Sequence, residues 1–126
     1  IETNFIILHP EMNLGDIVQK AVIKSSRNHF PVVNDDNEFL GILMLDDIRS
    51  IMFEQDLYQK LKARSLMQLA PAIIDYDKDT MEVIMNKFKE TVAWNLPVIK
   101  DGKYYGFVSK SKLLTAYRRK LINFTK

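Results

Sequence analysis

Phe30-Pro31-Val32-Val33 recurs as Leu96-Pro97-Val98-Ile99, and Gly41-Ile42-Leu43-Met44 recurs as Gly106-Phe107-Val108-Ser109. The offset is 66 residues at the prolines and at Asp35/Asp101, and it slips by one residue before the glycines. A spacing this regular comes from duplicated architecture. Across 126 residues each copy has roughly 63, too few to bury a comfortable core alone, so the halves are expected to share one.

Outward from the Pro-containing strands, each copy reads as β-α-β-β-α. Leu14, Ile17, Val18, Ala21 and Val22 mark one stripe of a helix that Asn13 caps, with Asp16 in its first turn. The second copy places Asp79 and Glu82 at the equivalent positions, followed by Val83, Ile84 and Phe88. Ile6-Ile7-Leu8 and Ala72-Ile73-Ile74 supply leading strands. Two further strands follow each helix, Phe30 to Val33 with Phe39 to Met44, and Leu96 to Ile99 with Tyr104 to Ser109. Asp101-Gly102 is a turn signal, because glycine accepts positive φ. Pro31 and Pro97 lack an N–H and are expected at the beginning or edge of their strands. A closing helix carries Leu45, Ile48, Ile51 and Met52 in the first copy and Leu113, Leu114, Tyr117 and Leu121 in the second. The fold class is therefore α/β (α+β), with repeat 1 at residues 1–53, a polar, partly helical linker at 54–68, and repeat 2 with its C-terminal helix at 69–126.

Composition narrows the function classes. The 18 basic and 16 acidic side chains are interspersed, which leaves no electrostatic footprint for nucleic acid. Absence of cysteine excludes a disulfide framework and thiol chemistry and fits a reducing compartment. No apolar run approaches the roughly 20 residues needed to cross a bilayer. The chain opens on Ile1 instead of Met and reads as a fragment of something longer. Asp75, Asp77 and Asp79 alternate like the start of a calcium loop, but Thr80 and Asn86 occupy the positions of its glycine and glutamate. His9 and His29 lack ligand spacing, so no metal site is proposed. No serine has a recognisable base, and no carboxylate pair can be nominated, so an enzyme is not expected. Arg118, Arg119 and Lys120 read either as partners of the helix dipole or as a contact for anionic lipid or a membrane domain.

The tandem unit resembles a pair of cystathionine β-synthase (CBS) domains, the Bateman module, over essentially the entire chain. The resemblance implies a pseudo-twofold pair forming one compact regulatory module, adenine nucleotides or related adenosyl ligands bound in clefts between copies, and a homodimer. A narrower resemblance rests on Phe30-Pro31-Val32-Val33, Leu45-Asp46-Asp47-Ile48-Arg49-Ser50-Ile51-Met52-Phe53, Trp94-Asn95-Leu96-Pro97-Val98, and Gly106 to Lys112 leading to Ala116-Tyr117-Arg118. These strings are similar to the cytoplasmic C-terminal CBS pair of bacterial ClC-type chloride channels and transporters. They imply a cytoplasmic domain of an inner-membrane protein, partnered by the transmembrane ClC-type domain of the same chain. The alternatives are a nucleotide-sensing module of a soluble enzyme or another transporter, and a ligand-free dimerisation scaffold.

Ligand-binding family members carry Gly-x-x-Ser/Thr-x-x-Asp from the last strand into the closing helix. The carboxylate accepts from ribose hydroxyls, and the hydroxyl and free helix N–H groups suit a phosphate. Here the first copy keeps Asp47 and has Met44 in place of the hydroxyl; the second keeps Ser109 and has Lys112 in place of the carboxylate. At most one asymmetric site, for AMP, ADP or ATP, is the expectation, with no cofactor required. Asp47 would meet ribose, Ser109 or Lys112 would lie near phosphate, and backbone groups of Asn28-His29 or Trp94-Asn95 would lie beside the base. Each residue also has a plainer reading: Asp47 as a dipole partner, Trp94 as a packing residue, Lys112 as a solvated helix residue.

Overall fold

The computed structural model describes the backbone of residues 1–125 and the side chains of residues 1–122. The fold is mixed α/β and contains the unit twice. The chain divides into two compact units, one of Asn4–Leu69, and one that combines Ile1–Thr3 with the chain from Ala70 onward.

In the first unit, α1 (Leu14–Ile17) continues through one π-helical turn at Val18–Val22. Asn13 caps it as its spacing predicts, its side-chain oxygen accepting from the Asp16 N–H at 2.8 Å. Strands β1 (His29–Val33) and β2 (Phe39–Met44) pair antiparallel, and α2 (Leu45–Arg49) follows without a break. Leu14, Ile17, Val18, Ala21, Phe30, Val32, Leu43 and Ile48 form a buried cluster in this unit. Ile51 and Met52, expected on the closing helix, lie in the turn after it and still pack on that cluster.

The stretch 54–68 is more than a polar connection. Its charged side chains are exposed, but it contains a 3₁₀ turn (Gln55–Leu57) and α3 (Ala63–Leu66), and Ala63 is fully buried in the first unit's cluster. The backbone N–H groups of Leu14 and Ala63 donate to Leu61 O and Met12 O, each at 2.8 Å, and Gln68 bridges antiparallel to Ile42.

In the second unit β3 (Ile74–Asp75), β4 (Asn95–Lys100) and β5 (Lys103–Ser109) form a sheet, with α4 (Met81–Thr91) before β4 and α5 (Lys110–Thr125) after β5. Ile74, Phe88, Leu96, Val98 and Leu113 make a cluster within this unit. Asp101 (φ 53°) and Gly102 (φ 75°) turn β4 into β5, as their sequence predicts. Leu121, assigned to the apolar face of the last helix, is 47% exposed, as is Val83 at 41% on α4. Arg118, Arg119 and Lys120 lie within α5 and not at its end, because the helix runs on to Thr125; they are exposed.

Both prolines sit mid-strand, opposite Ile42 and Phe107, and not at a strand's beginning; β1 is an edge strand of its two-stranded sheet, as expected for Pro31, whereas Pro97 lies on a strand paired on both sides. Their position explains why the leading strands are shorter than expected. The Leu8 N–H donates to Pro31 O and the Val33 N–H to Leu8 O, each at 2.9 Å, so the edge of β1 at Pro31 faces Leu8. A parallel ladder extended toward Ile6 would next require an N–H from residue 31, which proline lacks. Pairing stops at the single Leu8–Val32 bridge. Pro97 limits the second leading strand in the same way, so pairing begins at Ile74 and leaves Ala72 and Ile73 outside it.

Asp79 does not cap α4. Thr80 does, its hydroxyl accepting from the Val83 N–H at 3.3 Å. Asp79 instead accepts from Lys87 Nζ at 2.5 Å and from the Asp75 N–H at 3.0 Å, while Lys87 also donates to Ile73 O at 2.7 Å. Burial, the largest influence, pushes its pKa upward; the Lys87 hydrogen bond, the Asp75 hydrogen bond and the Lys87 charge together outweigh it and hold the carboxyl below its ordinary value. A lowered folded pKa contributes stability above the unfolded value that is lost as pH falls through the folded one. Urea midpoints of wild type and Asp79→Asn are therefore expected to differ most near neutral pH and to converge as pH falls below about 4. A gap that is constant down to pH 3 would refute this role for Asp79.

Candidate functional site

Asp47 occupies the third position of α2, where β2 leads directly into the helix, and its side chain is exposed. Its Oδ2 accepts from Gln68 Nε2 at 2.6 Å. The neighbouring Asp46 is paired instead with Arg49 at 3.3 Å. Met44 stands at the N-cap position of α2 and makes no side-chain cap bond, consistent with the thioether's weakness as an acceptor. Asn28 is exposed, and its carbonyl accepts from the Leu45 N–H at 2.8 Å. His29 opens β1 opposite Met44, with its ring 4.9 Å from that of Phe5. Register thus gathers Asn28, His29, Met44 and Asp47 at one end of the first unit's strand pair.

The second unit repeats this arrangement with different chemistry. Ser109 ends β5 and caps α5, its Oγ accepting from the Lys112 N–H at 3.2 Å. Asn95 lies opposite Ser109, and Trp94 O accepts from the Lys110 N–H at 2.8 Å, as Asn28 O does from Leu45. Trp94 is not a packing residue: it is 73% exposed, with Lys110 Nζ 5.4 Å from its ring centre. Nor is Lys112 merely solvated, because its Nζ pairs with Glu2 Oε1 at 2.5 Å. A pocket of about 140 Å³ is lined by Glu2, Ser109, Lys112 and Leu113 among others. That is below the roughly 300 Å³ at which small-molecule pockets begin, so within this unit it suits a small group better than a whole nucleotide. Surface grooves of about 370 and 330 Å³, around Asp16–Lys20 and around Lys89–Val92, include none of the candidate residues, whereas an open groove of about 320 Å³ along α5 is lined by Lys112 with Ser111, Thr115, Ala116 and Arg119.

Sequence reasoning missed Gln68 and Glu2, the partners of Asp47 and Lys112. The signal was present, since the two are 66 residues apart like the prolines, but Gln68 falls in the stretch read as linker and Glu2 in repeat 1 ahead of its leading strand. Each forms a single antiparallel bridge, Gln68 to Ile42 and Glu2 to Phe107, beside the repeated glycine. A side chain at Gly41 would bring Cβ to 2.7 Å from Gln68 O, and one at Gly106 would collide with Glu2 O. These glycines are therefore required for close backbone approach.

Asp75 and Asp77, which with Asp79 suggested a calcium loop, serve their own turn, Asp75 Oδ1 accepting from the N–H groups of Asp77 and Lys78 at 3.1 Å. Among the described residues no helix is long and apolar enough to cross a membrane.

Comparison with known proteins agrees with the duplicated unit. Staphylococcus aureus OpuCA superposes with a TM-score of 0.73 at 20% identity, covering 95% of this chain and 96% of the other. CBSX2, solved in complex with AMP, gives 0.70 at 23% identity over 92% and 89%. CbpB, solved in complex with c-di-AMP, gives 0.73 at 19% identity over 97% and 82%. No protein with a curated description matches the sequence. The family profile of the CBS domain matches twice, over residues 1–54 and 63–119, and the chain therefore belongs to the CBS-domain family, as a tandem pair.

Proposed function

We propose that this chain is a regulatory, non-catalytic CBS pair that responds to an adenine nucleotide, with Asp47 as the acceptor for ribose hydroxyls. The observation that carries the reading is the state of the Asp47 carboxylate, exposed and held at 2.6 Å by the neutral Gln68 amide. Ribose hydroxyls can replace that amide without leaving a buried charge unpaired, and a carboxylate acceptor makes such bonds charge-assisted. The complexes of CBSX2 with AMP and of CbpB with c-di-AMP support the ligand class. Titration calorimetry with AMP, ADP and ATP is expected to give measurable heat that weakens roughly tenfold or more in Asp47→Ala, the cost of one hydrogen-bonded charge. Absence of heat for all three would refute the reading.

The host is a second inference. The strings around Leu45 to Phe53 and Gly106 to Arg118 favour the cytoplasmic C-terminal region of a ClC-type chloride transport protein in an inner membrane, associated as a homodimer. There, a ligand that binds one arrangement of the module better than another would shift the transporting population. A parent gene lacking transmembrane helices upstream of Ile1 would rule out this host and leave a soluble enzyme or another transporter. A sedimenting monomer at high concentration would count against the isolated module being a dimerisation scaffold.

A further inference from the structure

Acidic and basic side chains alternate along most of the chain, but its last helix carries one sign only. Residues 110–126 hold six of the 18 basic side chains and none of the 16 acidic ones, which leaves 12 basic against 16 acidic side chains in residues 1–109. A net-negative body thus ends in a strongly positive helix, and a field of this kind selects anionic surfaces.

The placement of Arg118, Arg119 and Lys120 removes the plainer of their two readings. A helix dipole favours cations within its last turn, whereas these three precede the last turn of α5, which ends at Thr125. They are exposed, and so are the aliphatic residues that follow, Leu121 at 47% and Ile122 at 56%. Burial along α5 shows why. Leu113 is buried in the unit's cluster and Leu114 and Tyr117 are half-buried, so the helix leaves that core after about two turns. On its outward face Lys112 and Arg119 flank the open groove of about 320 Å³, whose short Ser111, Thr115 and Ala116 side chains let a surface approach the helix closely.

Three cations beside two exposed aliphatic side chains suit a partner whose outer layer is anionic and whose next layer is apolar. A bilayer with anionic headgroups is such a partner: the cations meet headgroup phosphates while the aliphatic side chains enter the boundary beneath them. Nucleic acid would reward the cations but not Leu121 and Ile122. A second copy across a twofold axis would set these cations against themselves. With 16 residues and five basic side chains, α5 would lie on a bilayer and not cross it.

We propose that the distal half of α5 is a docking surface for an anionic lipid bilayer, with Arg118, Arg119 and Lys120 at the headgroups and Leu121 and Ile122 entering the boundary below them. The docking uses the second unit alone and does not depend on nucleotide binding.

The test is flotation of the whole chain, without nucleotide, on vesicles of phosphatidylcholine alone and of phosphatidylcholine containing about one-third phosphatidylserine. The chain is expected to float with the anionic vesicles and not with the neutral ones, and to be released as salt shortens the screening length. Arg118→Gln/Arg119→Gln/Lys120→Gln is expected to weaken partitioning about a hundredfold, from roughly fivefold for each cation near such a surface. Arg118→Lys/Arg119→Lys, which keeps the charge, floats like wild type. Leu121→Ser/Ile122→Ser is expected to weaken partitioning about tenfold. Equal flotation on both vesicles, or none on either, overturns the proposal. Anionic binding that survives the triple replacement also overturns it, because the contact then lies elsewhere. A loss in the triple variant with no effect of Leu121→Ser/Ile122→Ser marks a site for any polyanion, nucleic acid included, and overturns lipid docking as well.

Discussion

Phe88→Ala is expected to lower stability by about 3–5 kcal/mol, the usual cost of truncating a buried phenylalanine. Phe88 is 1% exposed and packs with Ile74, Leu96, Val98 and Leu113, which join α4 to the sheet and to α5. These neighbours are aliphatic and lie on strands and a helix, so they cannot collapse into the space left by a benzyl group, and the cavity term adds to the lost transfer energy. With total stabilities of about 5–15 kcal/mol for ordinary domains, this is a large fraction. Urea unfolding followed by far-UV circular dichroism checks it. A loss below about 1 kcal/mol would mean that Phe88 is not the centre of that cluster.

Gly41→Ala is expected to cost more than Gly106→Ala, although the added methyl meets a carbonyl in both. At Gly41 the obstacle is Gln68 O at 2.7 Å, with Met67 Sδ at 2.9 Å. That segment cannot retreat, because Ala63 is buried and Leu61 and Ala63 are hydrogen-bonded to Leu14 and Met12. Strain of this kind costs about 1–3 kcal/mol, and the upper end applies where the neighbour is fixed backbone. At Gly106 the obstacle, Glu2 O, comes closer still, but it lies on Ile1–Thr3, which is held to that unit's sheet by two backbone hydrogen bonds and the Glu2–Lys112 ion pair, so displacing it costs about 2 kcal/mol, below the upper end expected at Gly41. Thermal unfolding of the two variants side by side tests the ranking. Equal destabilisation would show that the two straps are anchored alike. Gly41→Ala should also displace Gln68, and with it the partner of Asp47, which amide exchange at Ile42 and Gln68 would register.

Much of the fold is legible in one dimension because the rules involved are local. Asn13 caps α1 because an Asx side chain ahead of an apolar stripe satisfies open N–H groups, and Asp101-Gly102 turns because both residues tolerate positive φ. The same local logic misplaces Asp79. The 66-residue offset aligns it with Asn13, but Lys87, about two helix turns on, offers a stronger partner, and Thr80 takes the cap. The short leading strands were likewise implicit in Pro31 and Pro97, but their effect depends on which edge of the strand the missing N–H faces. Only the pairing of Leu8 and Ile74 reveals that edge.

The candidate site divides along the same line. Sequence alone determined that the scaffold positions agree between copies, Pro31 with Pro97 and Gly41 with Gly106, while Met44 differs from Ser109 and Asp47 from Lys112. Those are identities at fixed spacing, and spacing survives in a linear string. Tertiary structure decided the electrostatic state of the helix positions, because the partners of Asp47 and Lys112 come from bridges 21 and 110 residues away in the chain. A charge's effect depends on what neutralises it within a few ångströms, and no local pattern records that a glycine has made room for a distant carbonyl to pass.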